Sequence, residues 1–457
     1  MGKGLCLDHK GIGFTAKGFD YRVDKAMIVR AVAIDENNCA SEIVTHTYFV
    51  NENKYEEKNV VSVVADFEDM FGDRGIFVTG KEYDEGNTST PNFLKSGRRW
   101  EITGNMELLE KGEEILNQEV GIRTQGASTR HASRKKMSIF SRGEYSGSPY
   151  LEGLDIWDKS VHSIHTNHSI SNIVFPELLQ DRDVDVQNAI SCTMFLNGEY
   201  WYDTYLLEKY NKYYLQEKYQ VNPENVIIIK DDGATEGPED AYDYYLSVLG
   251  SAAINDLCAN VYLCNMDMSE TKNTMLWRTI ENEGTEYGDG RWRWMIYDMD
   301  CVEWMNWSYY DAPEKAAVNS FANVMQFTGM SIDEHKIYAS GKKNTEFCKQ
   351  FVLSFMDMAN VNFAIENVEK AFAKWDEELD DDLRNFFERR FDYIVPYMAE
   401  QFNLTGTMEK VTLEINDVEG GILQLNTTTP DLSEGSWTGR YYTDYPVTLT
   451  AVPADGY

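Results

Sequence analysis

No apolar run in the 457 residues approaches the roughly 18 of a membrane span. The opening MGKGLCLDHKGIGF also lacks the apolar segment of a secretory signal, so either the protein is made inside the cell or its true N-terminus lies upstream. Cysteine is sparse: seven residues, an odd number, scattered and without a CxxC pair. That usage implies neither a disulfide framework nor a zinc site. Positive charge is also short, with 42 Lys and Arg against 76 Asp and Glu and a formal net charge of −34. A surface of that sign argues against a nucleic-acid partner, because phosphate backbones select basic faces, and it disfavours docking on an anionic membrane. A phosphate-bearing small substrate stays open if local cations or a metal ion neutralise the site. Internal repeats and low-complexity tracts are absent.

What is present suffices for burying cores: 42% hydrophobic and 13% aromatic residues, over a length that favours two or three domains. In residues 1–52, MIVRAVAI and SEIVTHTYFV are β-branched and aromatic runs separated by the polar DENNCA, and they predict the last strands of a small sandwich. Residues 406–457 read similarly, with strands in KVTLEI, GGILQLN and YPVTLTAVPADGY. Both ends look like pieces of flanking modules in a longer chain. The middle, 53–405, is mixed. KKMSIFSR and AISCTMFLNGEYWYDTYLLEKY predict strands, the second folded at Asn197-Gly198, a strong hairpin signal. SISNIVFPELLQ predicts a helix interrupted near Pro176, and helical periodicity dominates from about residue 345. Strands first and helices later give an α+β domain of two lobes.

The chemistry concentrates in two places. NMDMSETKNTMLW and RWRWMIYDMD contain two predicted strands of one hairpin, so Asn273 and Asp298 should meet at its edge with Asp267 on the loop leading in. Oxygen donors gathered this way suit Mg²⁺. An Asp, an Asn a few residues on and a second Asp after the next hairpin also match the parts of protein-kinase phosphoryl transfer. Acidic residues capping a surface hairpin would produce the same pattern. The second place is GIRTQGASTRHASRKKMSIF, where Gly121 and Gly126 permit close backbone approach and five cations (Arg123, Arg130, Arg134, Lys135, Lys136) cluster in an acidic chain. If Met137 and Ile139 face a core, alternation puts Lys136 with Ser138 on the other face, which favours Lys136 over Lys135; a slip of one residue reverses the choice. His162, His165 and His168 at three-residue steps would share a helix face, but no H-E-x-x-H pattern accompanies them.

Taken in order, these stretches resemble the CotH kinases, atypical protein kinases named for a spore coat protein. RGIFVTG and RWEITGNMELLEKGEEI are similar to the family's lead-in strands, and GIRTQGASTRHASRKKMS to its glycine–serine–arginine and Lys-Lys-Ser pattern. FLNGEYWYDTYLLEKYNKYYL is similar to its hinge hairpin, NMDMSETKN and IYDMD to its Asn-x-Asp and Trp-Asp-x-Asp motifs, and the segments after 345 to its helical lobe. Departures are Met137 inserted before the Ser, a six-residue step from Asp267 to Asn273, and Tyr297 at the usual Trp.

The resemblance implies an atypical two-lobed protein-kinase-like fold with small flanking β-sandwich-like modules, and ATP with Mg²⁺ or Mn²⁺ as cofactors. Lys136 would hold the nucleotide phosphates, beside Gly126, Ser128 and Arg130 of the glycine loop. Asp267 would stand at the catalytic-base position, and Asn273 and Asp298 would ligate the metal with Asp300 as helper. Glu177 would pair with the lysine, and Glu208 would mark the hinge that meets adenine through backbone groups. The implied partner is a coat or surface protein phosphorylated on Ser or Thr, in an extracellular, cell-surface or spore-coat setting, with glycan contact through the flanking modules. A non-catalytic scaffold and a carbohydrate-associated binding protein are the competing classes.

Overall fold

The computed structural model describes residues 2–3, 22–50, 53–84, 86–87, 90–154, 157, 159–247, 254–269, 271–304, 312–323, 332 and 335–454. The chain divides into two units: Met1–His168 with Asn188–Lys218, and Ser169–Gln187 with Tyr219–Tyr457.

The first unit is built on a closed seven-stranded barrel. Outside it, β1 (Met27–Ala31) and β2 (Val44–Tyr48) form an antiparallel pair. The barrel strands are β3 (Asn59–Ala65), β4 (Ile102–Glu110), β5 (Glu113–Thr124), β6 (Met137–Phe140), β7 (Ser163–Asn167), β8 (Ala189–Leu196) and β9 (Glu199–Glu208). They run in the order β8-β9-β7-β6-β5-β4-β3, and a parallel pairing of β3 with β8 closes the ring. Two-residue alternation explains the interior: Val61 and Val63 meet Met106, Leu108, Val120, Ile139 and Met194 inside. Val60 points outward, to a separate cluster with Tyr55, Leu109 and Phe195. Asn197 (φ 47°) and Gly198 (φ 79°) make the turn between β8 and β9, as their pairing predicts. A Cβ on Gly198 would lie 2.8 Å from the Ala26 carbonyl oxygen, so close approach as well as φ requires glycine there. The β1–β2 pair lies against this barrel, with Thr47 Oγ1 donating to Ser62 Oγ at 2.8 Å.

Two local expectations fail. RGIFVTG forms turns and not a strand: the Ile76 and Phe77 N–H groups bond back to the Asp69 and Met70 carbonyls at 3.0 Å each instead of joining a ladder. VHSIHTNHS contributes strand β7 and no helix, so its three histidines do not line one helix face. His162 bonds the Pro149 carbonyl oxygen at 2.6 Å, while His168 packs edge-on to Tyr202.

The second unit holds a four-stranded antiparallel sheet in the order β11-β10-β12-β13: β10 (Val226–Lys230), β11 (Gly233–Glu236), β12 (Met275–Thr279) and β13 (Arg293–Met295). Helices α1 (Ser171–Glu177), α2 (Ile254–Tyr262), α3 (Thr345–Asp357), α4 (Ile365–Lys374) and α5 (Asp381–Gln401) share one apolar core with it. Asn344 and Asp380 cap α3 and α5 by accepting from first-turn backbone N–H groups. Strands β14 (Met408–Glu414), β15 (Gly421–Leu425), β16 (Ser436–Tyr442) and β17 (Leu449–Pro453) pair as β14–β16 and β15–β17. Asp357 at the end of α3 ties them to this unit, accepting from Asn426 Nδ2 at 2.8 Å and Tyr441 Oη at 2.9 Å. The protein is thus mixed α and β, with a barrel in one unit and a small sheet with helices in the other.

Candidate functional site

Antiparallel pairing of β12 with β13 brings Asn273, just before β12, and Asp298, three residues past β13, to the same end of the sheet of the second unit. Asp267 joins them: Asn273 Nδ2 donates to its carbonyl oxygen and to its Oδ2, both at 3.1 Å. That orientation presents Asn273 Oδ1 on the opposite side of the amide. The other Asp267 oxygen pairs with Lys272. Asp231 enters from the β10–β11 turn, bonded to Thr274 through its backbone N–H at 2.8 Å. Lys230 donates to Tyr297 Oη at 3.0 Å.

The backbone here is unusual. Asp231 (φ 58°), Cys264 (φ 56°), Asn273 (φ 54°) and Asp298 (φ 57°) all occupy the left-handed region. Asn and Asp tolerate it best among residues with side chains, so these identities have a structural as well as a chemical reason. Two asparagines fix the turn after β13. Asn265 Nδ2 donates to the Asp298 carbonyl oxygen at 3.2 Å, and Asn172 Oδ1, on α1, accepts from the Met299 N–H at 2.5 Å. Asn265 opens the Asn-x-Asp pattern and Asn172 lies in SISNIVF, but neither was given a role from sequence.

Charge accumulates at this end of the sheet. Burial pushes the Cys301 thiol up to about 12, and Asp267 and Asp300 add to the shift, so it is a neutral thiol at physiological pH. Burial disfavours the Lys230 ammonium, but Tyr297, Asp231 and Asp298 outweigh it and hold its pKa above the ordinary value. Among the described residues, Asp267, Asp298 and Asp300 do not bring three carboxylate oxygens within 4.8 Å of one another.

In the first unit the basic loop is mostly self-engaged. Arg123 pairs with Glu101 at 2.9 Å. Arg130 donates to the Leu94 and Lys95 carbonyls, and Arg134 to that of Trp201. Lys135 is fully buried, donates to the carbonyls of Arg130 and Ala132, and lies 3.9 Å from the Phe93 ring centroid. Lys136 is half-buried, immediately ahead of β6. Four of the five cations, Arg130 among them, thus have partners within the first unit. Gly126 (φ 102°) is confined to glycine by Thr129, whose Oγ1 would lie 2.1 Å from an added Cβ. The Ser128 side chain lies outside the described residues.

Two more expected roles meet competing partners. Glu177 ends α1 in the second unit with both oxygens engaged, one by Lys374 and the other by Trp375 Nε1 at 2.8 Å. A lysine reaching Glu177 would have to share it with these two partners. Glu208 is buried, paired with Lys159 at 2.7 Å, and its backbone N–H bonds the Asn188 carbonyl at 3.0 Å. That donor is already used within the barrel, so it is not available to adenine.

Lys135 gives the first prediction. Burial pulls its amine down to about 7, whereas an unfolded lysine titrates near 10.4. Below pH 7 the amine is charged in both states and the burial penalty is fully felt. Between pH 7 and about 10 the unfolded chain binds more protons, so stability rises with pH. The parent should gain about 2 kcal/mol on Lys135→Met between pH 7 and 9 in urea unfolding. Parallel curves for the two proteins would refute the buried titration.

No protein family matched the chain, and neither did any curated protein. Among solved structures, it is similar to the Helicobacter pylori proinflammatory kinase CtkA, with a TM-score of 0.31 and 10% identity over 54% of this chain and 94% of that one. A likeness at that level transfers neither fold nor activity.

Proposed function

We propose that the protein is a phosphotransferase of the CotH kinase type, which uses ATP with Mg²⁺ or Mn²⁺ to phosphorylate Ser or Thr hydroxyls of coat or surface proteins outside the cell. One observation carries the reading: the loop holding Asp267 and Asn273 and the turn holding Asp298 lie at one sheet end, and Asn265 and Asn172 fix the Asp298 turn through its backbone. Strained, over-determined backbone of this kind concentrates where side chains must be held for chemistry.

In this reading Asp298 and Asn273 Oδ1 hold the metal, with Asp300 adjacent as helper. When bound, the metal neutralises charge on the transferring phosphoryl group. Asp267 orients the acceptor hydroxyl and takes its proton, and displacement of Lys272 by substrate would release the carboxylate for that role. The resemblance alone assigns the nucleotide phosphates to Lys136, which lies in the first unit. The test is incubation with labelled ATP and Mg²⁺, comparing the parent with Asp267→Ala on a generic acceptor and on the protein itself. Transfer by the parent and a loss of about 10²–10⁴-fold in the variant are expected. Equal labelling of both would refute the assignment.

The engagement of four loop cations and of both Glu177 oxygens favours a second reading, a non-catalytic scaffold in a coat or surface assembly. That reading requires that ATP with either metal fails to raise the melting temperature, since any ligand of the native state must raise it.

A further inference from the structure

Away from the sheet of the second unit, the outer face of the barrel carries a group of side chains that packing does not explain. His46 on β2, Glu107 on β4 and Glu114 on β5 turn their polar atoms to one point. His46 Nδ1 lies 3.1 Å from Glu114 Oε2 and 3.5 Å from Glu107 Oε1, and one ligand atom of each lies within 4.8 Å of the others. A tetrahedral ion with bonds of about 2.0–2.1 Å separates its ligand atoms by about 3.3–3.4 Å. The two distances from His46 bracket that edge.

Protonation alone satisfies this group poorly. Asn117 stands opposite Glu107 in the β4–β5 pairing, and its Nδ2 donates to Glu114 Oε2 at 3.0 Å and lies 3.3 Å from His46 Nδ1. Asn105 Nδ2 donates to Asn117 Oδ1 at 2.9 Å, so the Asn117 amide cannot flip. Asn117 Nδ2 also donates to the Thr45 carbonyl oxygen at 3.0 Å, so its two hydrogens serve Glu114 and Thr45 and none is left for His46 Nδ1. A proton on His46 Nδ1 serves Glu114 at 3.1 Å before Glu107 at 3.5 Å, so the imidazole and two carboxylates converge with too few protons for all three. Glu107 sharpens the problem: it is 2% exposed, and its Oε2 has no hydrogen-bond partner. A buried carboxylate oxygen without a donor is costly unless a cation meets it. A cavity of about 410 Å³, bordered by all three residues with Tyr55 and Glu56, adjoins the group and admits solvent.

We propose that His46, Glu107 and Glu114 form a binding site for Zn²⁺ or a similar late first-row divalent ion, with a fourth position open to water from the cavity. Imidazole with carboxylates suits such ions and disfavours Mg²⁺. Asn117 is the outer residue that orients Glu114, and the ion staples β2 to β4 and β5. The site is independent of the nucleotide reading.

The test uses the full chain, stripped with a chelator and titrated with Zn²⁺ by calorimetry and with Co²⁺ by visible absorption. The expected result is one equivalent bound, a Co²⁺ spectrum without thiolate charge-transfer bands, and a melting temperature several degrees higher with Zn²⁺. His46→Ala should abolish the equivalent and the thermal shift, Glu107→Gln should do the same, and Asn117→Ala should weaken binding about tenfold. Should Glu107→Gln fail to fold, His46→Ala and Glu114→Gln, both at more accessible positions, decide the matter. No uptake by the parent at micromolar Zn²⁺, or uptake unchanged in His46→Ala, would overturn the site and leave a proton shared by Glu107 and Glu114 as the explanation.

Discussion

Asp298→Asn is expected to remove phosphoryl transfer while leaving the protein folded. Few substitutions separate the two effects so well. The left-handed φ of 57° at position 298 would be strained in most residues, by roughly 1–2 kcal/mol, but asparagine tolerates it nearly as well as aspartate. The two hydrogen bonds that fix this turn go to the Asp298 carbonyl and the Met299 N–H, backbone groups that the substitution keeps. What changes is one negative charge beside the proposed metal position, and with it a small part of the field that keeps the Lys230 ammonium charged. Loss of a charge that stabilises the transferring group should cost on the order of 10³-fold in kcat/KM, with the melting temperature within about 2 °C of the parent. Asp298→Ala should lose activity equally and also melt lower, because alanine resists the left-handed backbone. Transfer by Asp298→Asn at the parent rate would show that the carboxylate holds no metal, and the proposed chemistry would have to move elsewhere.

Local signals in the sequence were read well where short-range physics decides the outcome. Asn197-Gly198 makes its turn because the pair accepts positive φ twice, and the periodic stretches after residue 345 are helices because their apolar faces repeat at three and four residues. The placing of Asn273 and Asp298 at one sheet end was legible for the same reason, since a hairpin joins its ends, while the Asn273–Asp267 bond is local to one loop. Asn172 escaped because it acts on Met299 across 127 residues, and Asn265 because its bond to Asp298 spans 33. Nothing in either residue's neighbourhood announces such a bond. The basic loop was less legible for a different reason: composition counts charges but not acceptors. The Leu94, Lys95 and Trp201 carbonyls that engage Arg130 and Arg134 belong to distant segments. The histidines of VHSIHTNHS misled because a three-residue step is read as helical only until flanking strands claim the segment.

The largest expected loss of stability comes from Arg390 on α5. Its guanidinium is fully buried, and no carboxylate faces it within the described residues. All five of its N–H groups are used instead: Nε on the Tyr262 carbonyl at 2.8 Å, Nη1 on those of Ala316 (2.8 Å) and Val318 (2.7 Å), and Nη2 on the Val261 carbonyl (3.2 Å) and Ser320 Oγ. Val261 and Tyr262 are the last residues of α2, whose terminal carbonyls have no partner within the helix, so Arg390 caps that helix from outside its own chain segment. Replacing a whole buried ion pair by apolar residues can be harmless, but here the carbonyl partners cannot be removed. The Val261 carbonyl still accepts from Ser320 Oγ and the Cys264 N–H, but Arg390→Met strips the donor from the carbonyls of Tyr262, Ala316 and Val318, a cost on the order of 3 kcal/mol or more. Arg390→Lys offers three donors with no fork and should recover only part of it. The effect should also reach the site, because α2 runs directly into Cys264, Asn265 and Asp267. Urea unfolding followed by tryptophan fluorescence measures the first consequence, and nucleotide-dependent melting at low temperature the second. A midpoint for Arg390→Met within about 1 kcal/mol of the parent would mean that water replaces the guanidinium, and the cap would then be a filler of space and not a support for the acidic loop.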